Sequence, residues 1–149
     1  MQRVMSVFAD SSALVKLYVA EPGSEQVQAL SGLVVSQIAR VEIPAALWRK
    51  HRMGAISAAD ARLLVSAFEA DYHGTPDEPP RFAVVPVTPI VLDVAARLTG
   101  VHGLRAYDAI QLATAQLVAS ADRECRTFAA FDKALSEAAA GEGFHPLGG

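Results

Sequence analysis

The 149-residue sequence has little of what marks several common chemistries. It holds one cysteine, Cys125, so no intrachain disulfide can form and no cysteine-rich zinc site exists. Cys125 follows Glu124 and has no evident base beside it, so it reads as an incidental buried thiol. No glycine lies between Met1 and Glu21, which removes a phosphate-cradling loop from the first strand–helix junction. Ser11 and Ser12 lack the Gly-x-Ser-x-Gly elbow of a serine hydrolase. Asp10-Ser11-Ser12 also lacks the Asp-x-Asp pattern of an aspartyl-phosphate enzyme. His51, His73, His102 and His145 are scattered and show no metal-ligand spacing. No charge-free apolar run approaches the roughly 18 residues of a membrane helix. The start of the chain lacks a basic leader joined to an unbroken apolar stretch, and a cytoplasmic protein is expected. Thirteen Lys and Arg face sixteen Asp and Glu, for a net charge of −3. Nothing in that balance suggests a strongly basic nucleic-acid binder or a membrane-surface protein. It leaves room for a nucleic acid substrate offset by divalent cations and local arginines.

What is present is an apolar, alanine-rich chain, 52% hydrophobic, long enough for one domain spanning 1–149 with a real core. Residues 3–9 read as a first strand, followed by a short helix to about Tyr18 that Ser11 or Ser12 can cap. Glu21-Pro22-Gly23-Ser24 interrupts, and a second short helix covers Ser24 to Leu30. Leu33-Val34-Val35 reads as a strand. Ser36 can cap a helix from Gln37 to about Arg52, with Ile38, Val41, Ala45 and Trp48 on its apolar stripe. Pro44 predicts a kink in it. Ser57 and Asp60 read as a reciprocal cap on a helix that turns Ala61, Leu64, Val65 and Phe68 to the core. Phe82 to Val87 reads as a strand with Pro86 at its end or edge. Thr88-Pro89 starts a helix to about Leu98 or Thr99, and Val101 to Leu104 reads as a loop. Tyr107 to Ser120 is the most apolar helix. Arg126 to Phe131 reads as a strand, Asp132 precedes a helix to about Ala140, and Phe144 to Leu147 is a final edge strand. Four to five short strands alternating with helices predict an α/β fold with a largely parallel sheet. Neither an internal repeat nor an interdomain linker is visible.

Four acids keep unusual company. Asp10 ends one apolar strand and Asp132 ends another. Glu42 sits between Val41 and Ile43, and Asp108 between Tyr107 and Ala109, both early in helices. Carboxylates stay in water unless paired or bound to a cation. If the strands are parallel, all four converge on the carboxyl edge of the sheet, where sites form in open α/β folds. Converging carboxylates repel unless a cation sits among them, and Mg²⁺ or Mn²⁺ suits an all-oxygen set. Such an ion can polarise a phosphodiester and acidify a water. The plainer alternative stays open: Asp10, Asp108 and Asp132 cap helices, and Glu42 pairs with Arg40 or Arg105. Ser11 and Ser12 can cap or hydrogen-bond at the same site. Lys16 either approaches a phosphate or sits in a salt bridge. Arg40 and Arg105 either hold an RNA backbone at the rim or balance charge. Trp48 and Phe68 read as core or interface residues.

These segments together resemble the PIN-domain nucleases, in particular the VapC-type toxins of bacterial type II toxin–antitoxin systems. The resemblance runs through Phe8-Ala9-Asp10-Ser11-Ser12-Ala13-Leu14-Val15-Lys16-Leu17-Tyr18 with Glu21-Pro22-Gly23. It continues in Val35-Ser36-Gln37-Ile38-Ala39-Arg40-Val41-Glu42. Its strongest piece is Leu104-Arg105-Ala106-Tyr107-Asp108-Ala109-Ile110-Gln111-Leu112-Ala113, and Thr127 to Leu135 resembles the last motif. The resemblance implies a PIN-like three-layer sandwich with a central, mostly parallel sheet, and a Mg²⁺- or Mn²⁺-dependent ribonuclease toxin. It implies Asp10, Glu42 and Asp108 as metal carboxylates, Asp132 as a fourth and more variable one, and Ser11 or Ser12 as the hydroxyl beside the first acid. It further implies a homodimer and a small cognate antitoxin through which alone operator DNA is reached. The helices at 37–52 and 57–72, with Trp48, Leu63, Leu64 and Phe68, are the expected dimer surface. Pro44 departs from the pattern close to Glu42, and Asp132 follows Phe131 where a hydroxyl could stand. Two other roles compete: a PIN-fold nuclease of RNA or DNA processing, and a non-catalytic binding module whose acids are structural.

Overall fold

The computed structural model describes residues 6–148. Five short strands form its sheet: β1 (Val7–Ala9), β2 (Leu33–Ser36), β3 (Ala83–Val85), β4 (Thr127–Ala129) and β5 (His145–Leu147). They pair in the order β3-β2-β1-β4-β5, and every pair is parallel. Residues 3–5 of the expected first strand lie outside the described residues. Parallel strands need crossovers, and the helices supply them on both faces, so the inner strands are mostly apolar, with Ser36 and Thr127 at their ends.

The two-residue period of each strand sorts the core into two halves. Phe8, Val34 and Phe128 face one side, where α5 (Pro89–His102), α6 (Ala106–Ala121) and α7 (Lys133–Gly141) cover them. The Phe8 and Phe128 rings stack there with centroids 5.4 Å apart. Val7, Ala9, Leu33 and Val35 face the other side, under α1 (Ser11–Leu14), α2 (Ser24–Gln28), α3 (Ala39–Arg52) and α4 (Ala58–His73). The result is the expected α/β three-layer sandwich. No helix among the described residues is long and apolar enough to cross a membrane.

Most differences from the sequence reading lie at element ends. α1 stops at Leu14 and continues as a 3-10 turn, Val15–Leu17. α5 runs past Gly100 to His102, because one glycine weakens a helix by only about 1 kcal/mol. Gly103, at φ 65°, ends it in the left-handed conformation open to glycine. Thr88 caps α5 as predicted, accepting from the Val91 N–H, with Pro89 in the first turn. Ser57 accepts from the Asp60 N–H at 3.0 Å at the start of α4. Ser36 accepts from the Ile38 N–H at 3.2 Å, but in the turn before α3 rather than on it. α3 continues unbroken through Pro44.

The larger correction concerns the face of α3. Its buried residues are Ala39, Ile43 and Leu47, not the stripe through Ile38, Val41 and Ala45, and Val41 is 71% exposed. Both stripes have helical spacing, and the sheet takes the first. Gly23 marks a tight point between the turn before α2 and the chain just past the end of β4. It has φ 92°, and a Cβ there would meet the Phe131 ring at 2.5 Å.

Candidate active site

β1 and β4 are neighbours in the sheet, yet the chain leaves them in opposite lateral directions, toward β2 and toward β5. The carboxyl edge between them is therefore a switch point, with an open crevice. Asp10 follows β1 directly, and Asp132 lies three residues beyond β4. Asp10, not Ser11 or Ser12, is the cap of α1, accepting from the Ala13 N–H at 3.0 Å. Ser12 Oγ donates to Asp10 Oδ1 at 2.7 Å and accepts from the Phe131 N–H at 2.8 Å, so it ties the ends of β1 and β4 together. Asp132 caps α7, accepting from the Leu135 N–H at 2.9 Å.

Glu42 and Asp108 come to the same crevice from the first turns of α3 and α6. Ser11 Oγ donates to Glu42 Oε1 at 2.8 Å, and Gln111 Nε2 donates to the same oxygen at 2.8 Å. Arg105, whose side chain is 84% exposed, lies 3.6 Å from Asp108 and 3.7 Å from Asp132. Asp10, Ser11, Glu42, Asp108 and Asp132 all line one cavity of about 680 Å³. Arg49 and Arg105 also border it, and Ile38, Val41, Ala45 and Tyr107 make an apolar wall. The α3 stripe that misses the core thus faces this space.

Arg40 takes another partner. It reaches Glu69 at 2.6 Å, so it neither pairs with Glu42 nor lines the cavity. Lys16 is buried, 2.9 Å from Glu21, with its Nζ 4.5 Å from the centre of the Phe131 ring. Lys50 holds the other oxygen of Glu21 at 2.7 Å. Burial would raise the Glu21 pKa, but Lys50 and Lys16 outweigh it and hold it below the usual range. Lys16 is part of that structural cluster and not of the cavity wall. Phe68 is core, and Trp48 is half-buried, edge-on to His51. Cys125 is buried, and burial pushes its thiol pKa up.

The cavity is unfavourable for bare negative charge. Asp10 is 4% exposed, and burial pushes its pKa up to about 7. The bonds from Ser12 and Ala13 pull it down, while the charges of Asp108 and Glu42 add to the rise. Asp108 is raised by burial and then by Asp132, against the pull of Arg105. Among the described residues, no three His, Cys, Asp or Glu side chains are drawn close enough to hold an ion as they stand. The acids are instead held by protein partners: Ser12 for Asp10, Ser11 and Gln111 for Glu42, and Arg105 shared by Asp108 and Asp132. The chemistry of the donor set still fits a hard divalent cation, being all oxygen, anionic and partly desolvated. Sequence reasoning missed Gln111, although it stands three residues after Asp108 and so on the same helix face.

Several solved structures share this fold, among them the following three. PAE2754 from Pyrobaculum aerophilum is 21% identical with a TM-score of 0.59, over 91% of this chain and 80% of its own. A toxin–antitoxin complex from Klebsiella pneumoniae is 17% identical with a TM-score of 0.54, over 85% and 86%. FitAcB from Neisseria gonorrhoeae is 17% identical with a TM-score of 0.61, over 95% and 96%. By sequence, neither a family model nor a curated protein matches. At these identities the likeness is one of fold, and the fold of this chain is a PIN-like three-layer sandwich with an acidic cavity at its switch point.

Proposed function

We propose that the chain is a single PIN domain, 1–149, acting in the cytoplasm as a Mg²⁺- or Mn²⁺-dependent ribonuclease toxin. The observation that carries this reading is the convergence of Asp10, Glu42, Asp108 and Asp132 on one cavity at the carboxyl edge of the sheet. Asp10, Glu42 and Asp108 would hold the principal cation, and Asp132 a second position or a water. Bound there, the cation supplies Lewis acidity toward the phosphodiester and a water of lowered pKa. Ser11 keeps the Glu42 carboxylate oriented. Arg49 and Arg105 meet the neighbouring phosphates at the rim, where cations position a strand without reading its sequence. In the net reaction a water oxygen bonds to phosphorus, the bond to the leaving sugar oxygen breaks, and that oxygen takes up a proton.

A small cognate antitoxin is the proposed partner, supported by the fold shared with the Klebsiella pneumoniae toxin–antitoxin complex. Operator DNA would be reached only through it. RNA incubated with the purified chain should be cut with Mg²⁺ or Mn²⁺ and left intact in excess chelator. Asp10→Ala should stay folded and lose the cleavage. Full cleavage in chelator by metal-depleted protein would reject the mechanism. Cation binding without cleavage of any RNA would favour a binding module instead.

A further inference from the structure

Gln111 is out of place in its helix. It stands in a run of buried residues, Gln111 to Ala115, and is itself 2% exposed. An apolar side chain would satisfy that environment without desolvating an amide. The amide nevertheless reaches across the site. Nε2 lies 2.8 Å from Glu42 Oε1 and 3.2 Å from Ser11 Oγ, joining α6 to α3 and to α1. The partners are 69 and 100 residues away in sequence, so only the tertiary fold brings them together.

The other amide atom carries the argument further. Gln111 Oε1 is buried and has no hydrogen-bond partner among the described residues. Rotating the amide by half a turn would set that oxygen against the Glu42 carboxylate, which as an ion can only accept. The contact with Glu42 therefore dictates the orientation and leaves Oε1 orphaned. An unsatisfied buried acceptor works against the folded state, because its lost hydration is not replaced. Violations of local consistency of this kind concentrate at functional sites.

We propose that Gln111 is a positioning residue that fixes the Glu42 carboxylate and the Ser11 hydroxyl in the cavity. This rests on the nuclease reading above. It acts through Glu42, not on the substrate. A methionine of similar length at position 111 should keep the packing and remove the orphaned acceptor.

The test compares wild type, Gln111→Met and Gln111→Asn, each alone and in a Glu42→Ala background. Three quantities are read: thermal midpoint, Mn²⁺ affinity by calorimetry on the metal-depleted protein, and single-turnover RNA cleavage. Gln111→Met should match or exceed the wild-type midpoint, yet bind Mn²⁺ about tenfold more weakly, as for other groups that orient a metal ligand. Gln111→Asn, one methylene shorter, should lose affinity in the same direction. In the Glu42→Ala background neither change should weaken binding further, because the coupled partner is gone. Wild-type Mn²⁺ affinity and cleavage in both variants would overturn the role of Gln111. So would an equal loss in both backgrounds, or a loss that only tracks a lower midpoint. A wild-type chain that neither binds Mn²⁺ nor cleaves RNA would overturn the nuclease reading itself, and this role with it.

Discussion

At the scale of single residues, the site holds two acids, Asp10 and Asp108, whose charge the fold resists. Asp10 shows this most clearly, with its pKa pushed up to about 7 by burial and then by Asp108 and Glu42. In metal-free protein the folded state thus holds a proton that the unfolded chain releases near its ordinary value of 3.8. The contribution of Asp10 to folding stability should fall as pH rises from about 4 to about 7 and level off above. An asparagine in place of Asp10 cannot titrate and keeps an oxygen for the Ala13 N–H. Asp10→Asn should therefore be more stable than wild type in chelator at pH 8, by up to about 4 kcal/mol, with the gap closing toward pH 4. Denaturant titrations across that range measure it, and a pH-independent gap would remove the buried charge as its cause. The acids should also differ in cleavage. Under single-turnover magnesium titration, asparagine in place of Asp10 or Asp108 should lose about a hundredfold or more, Glu42→Gln somewhat less, and Asp132→Asn about tenfold. Asp132 caps α7, a task asparagine can retain. Loss of metal binding in Asp132→Asn with none in Asp108→Asn would reverse this ranking.

At the scale of elements, α3 divides its two apolar stripes between core and cavity. Ile43 is fully buried against the sheet, while Val41 borders the acidic cavity and is mostly exposed. Ile43→Ala should destabilise by about 2–4 kcal/mol through lost burial and a residual void. Val41→Ser should change stability by no more than about 0.5 kcal/mol. Urea unfolding of the two variants compares them directly, and equal losses would contradict the observed rotation of the helix. Holding α3 in this rotation also keeps Glu42, one residue from each stripe, within reach of Ser11 and Gln111.

At the scale of the whole molecule, a sheet covered on both faces leaves association to the helix surfaces. Leu63 is exposed on α4, one of the two helices expected to pair two subunits, and Met53 is exposed in the turn between α3 and α4. Phe68 is spent on the core and cannot take part. Sedimentation equilibrium at micromolar concentration should give a mass near twice 15.7 kDa. Leu63→Lys should shift it toward the monomer while leaving the thermal midpoint of the dilute protein within a few degrees, as for a surface change. A clean monomer for wild type throughout that range would reject the dimer.

The amino-acid sequence by itself determined the alternation of strand and helix, and with it the layered class of the fold. Its local signals act within a turn of chain, which is why the Thr88 and Ser57 caps and the buried α6 were legible. The placement of acids at strand ends was legible too, since parallel strands bring their carboxyl ends to one edge. Only the tertiary structure decided which acid met which partner. Arg40 stands two residues from Glu42, yet it turns to Glu69, 29 residues away. Asp10 caps the helix where Ser11 and Ser12 had equal local claims, because Ser11 is drawn to Glu42 and Ser12 to the Phe131 N–H. Two stripes on α3 share one period, and packing against the sheet chose between them. Spacing along the chain limits what a side chain can face within its own element, but distance across elements selects its partner.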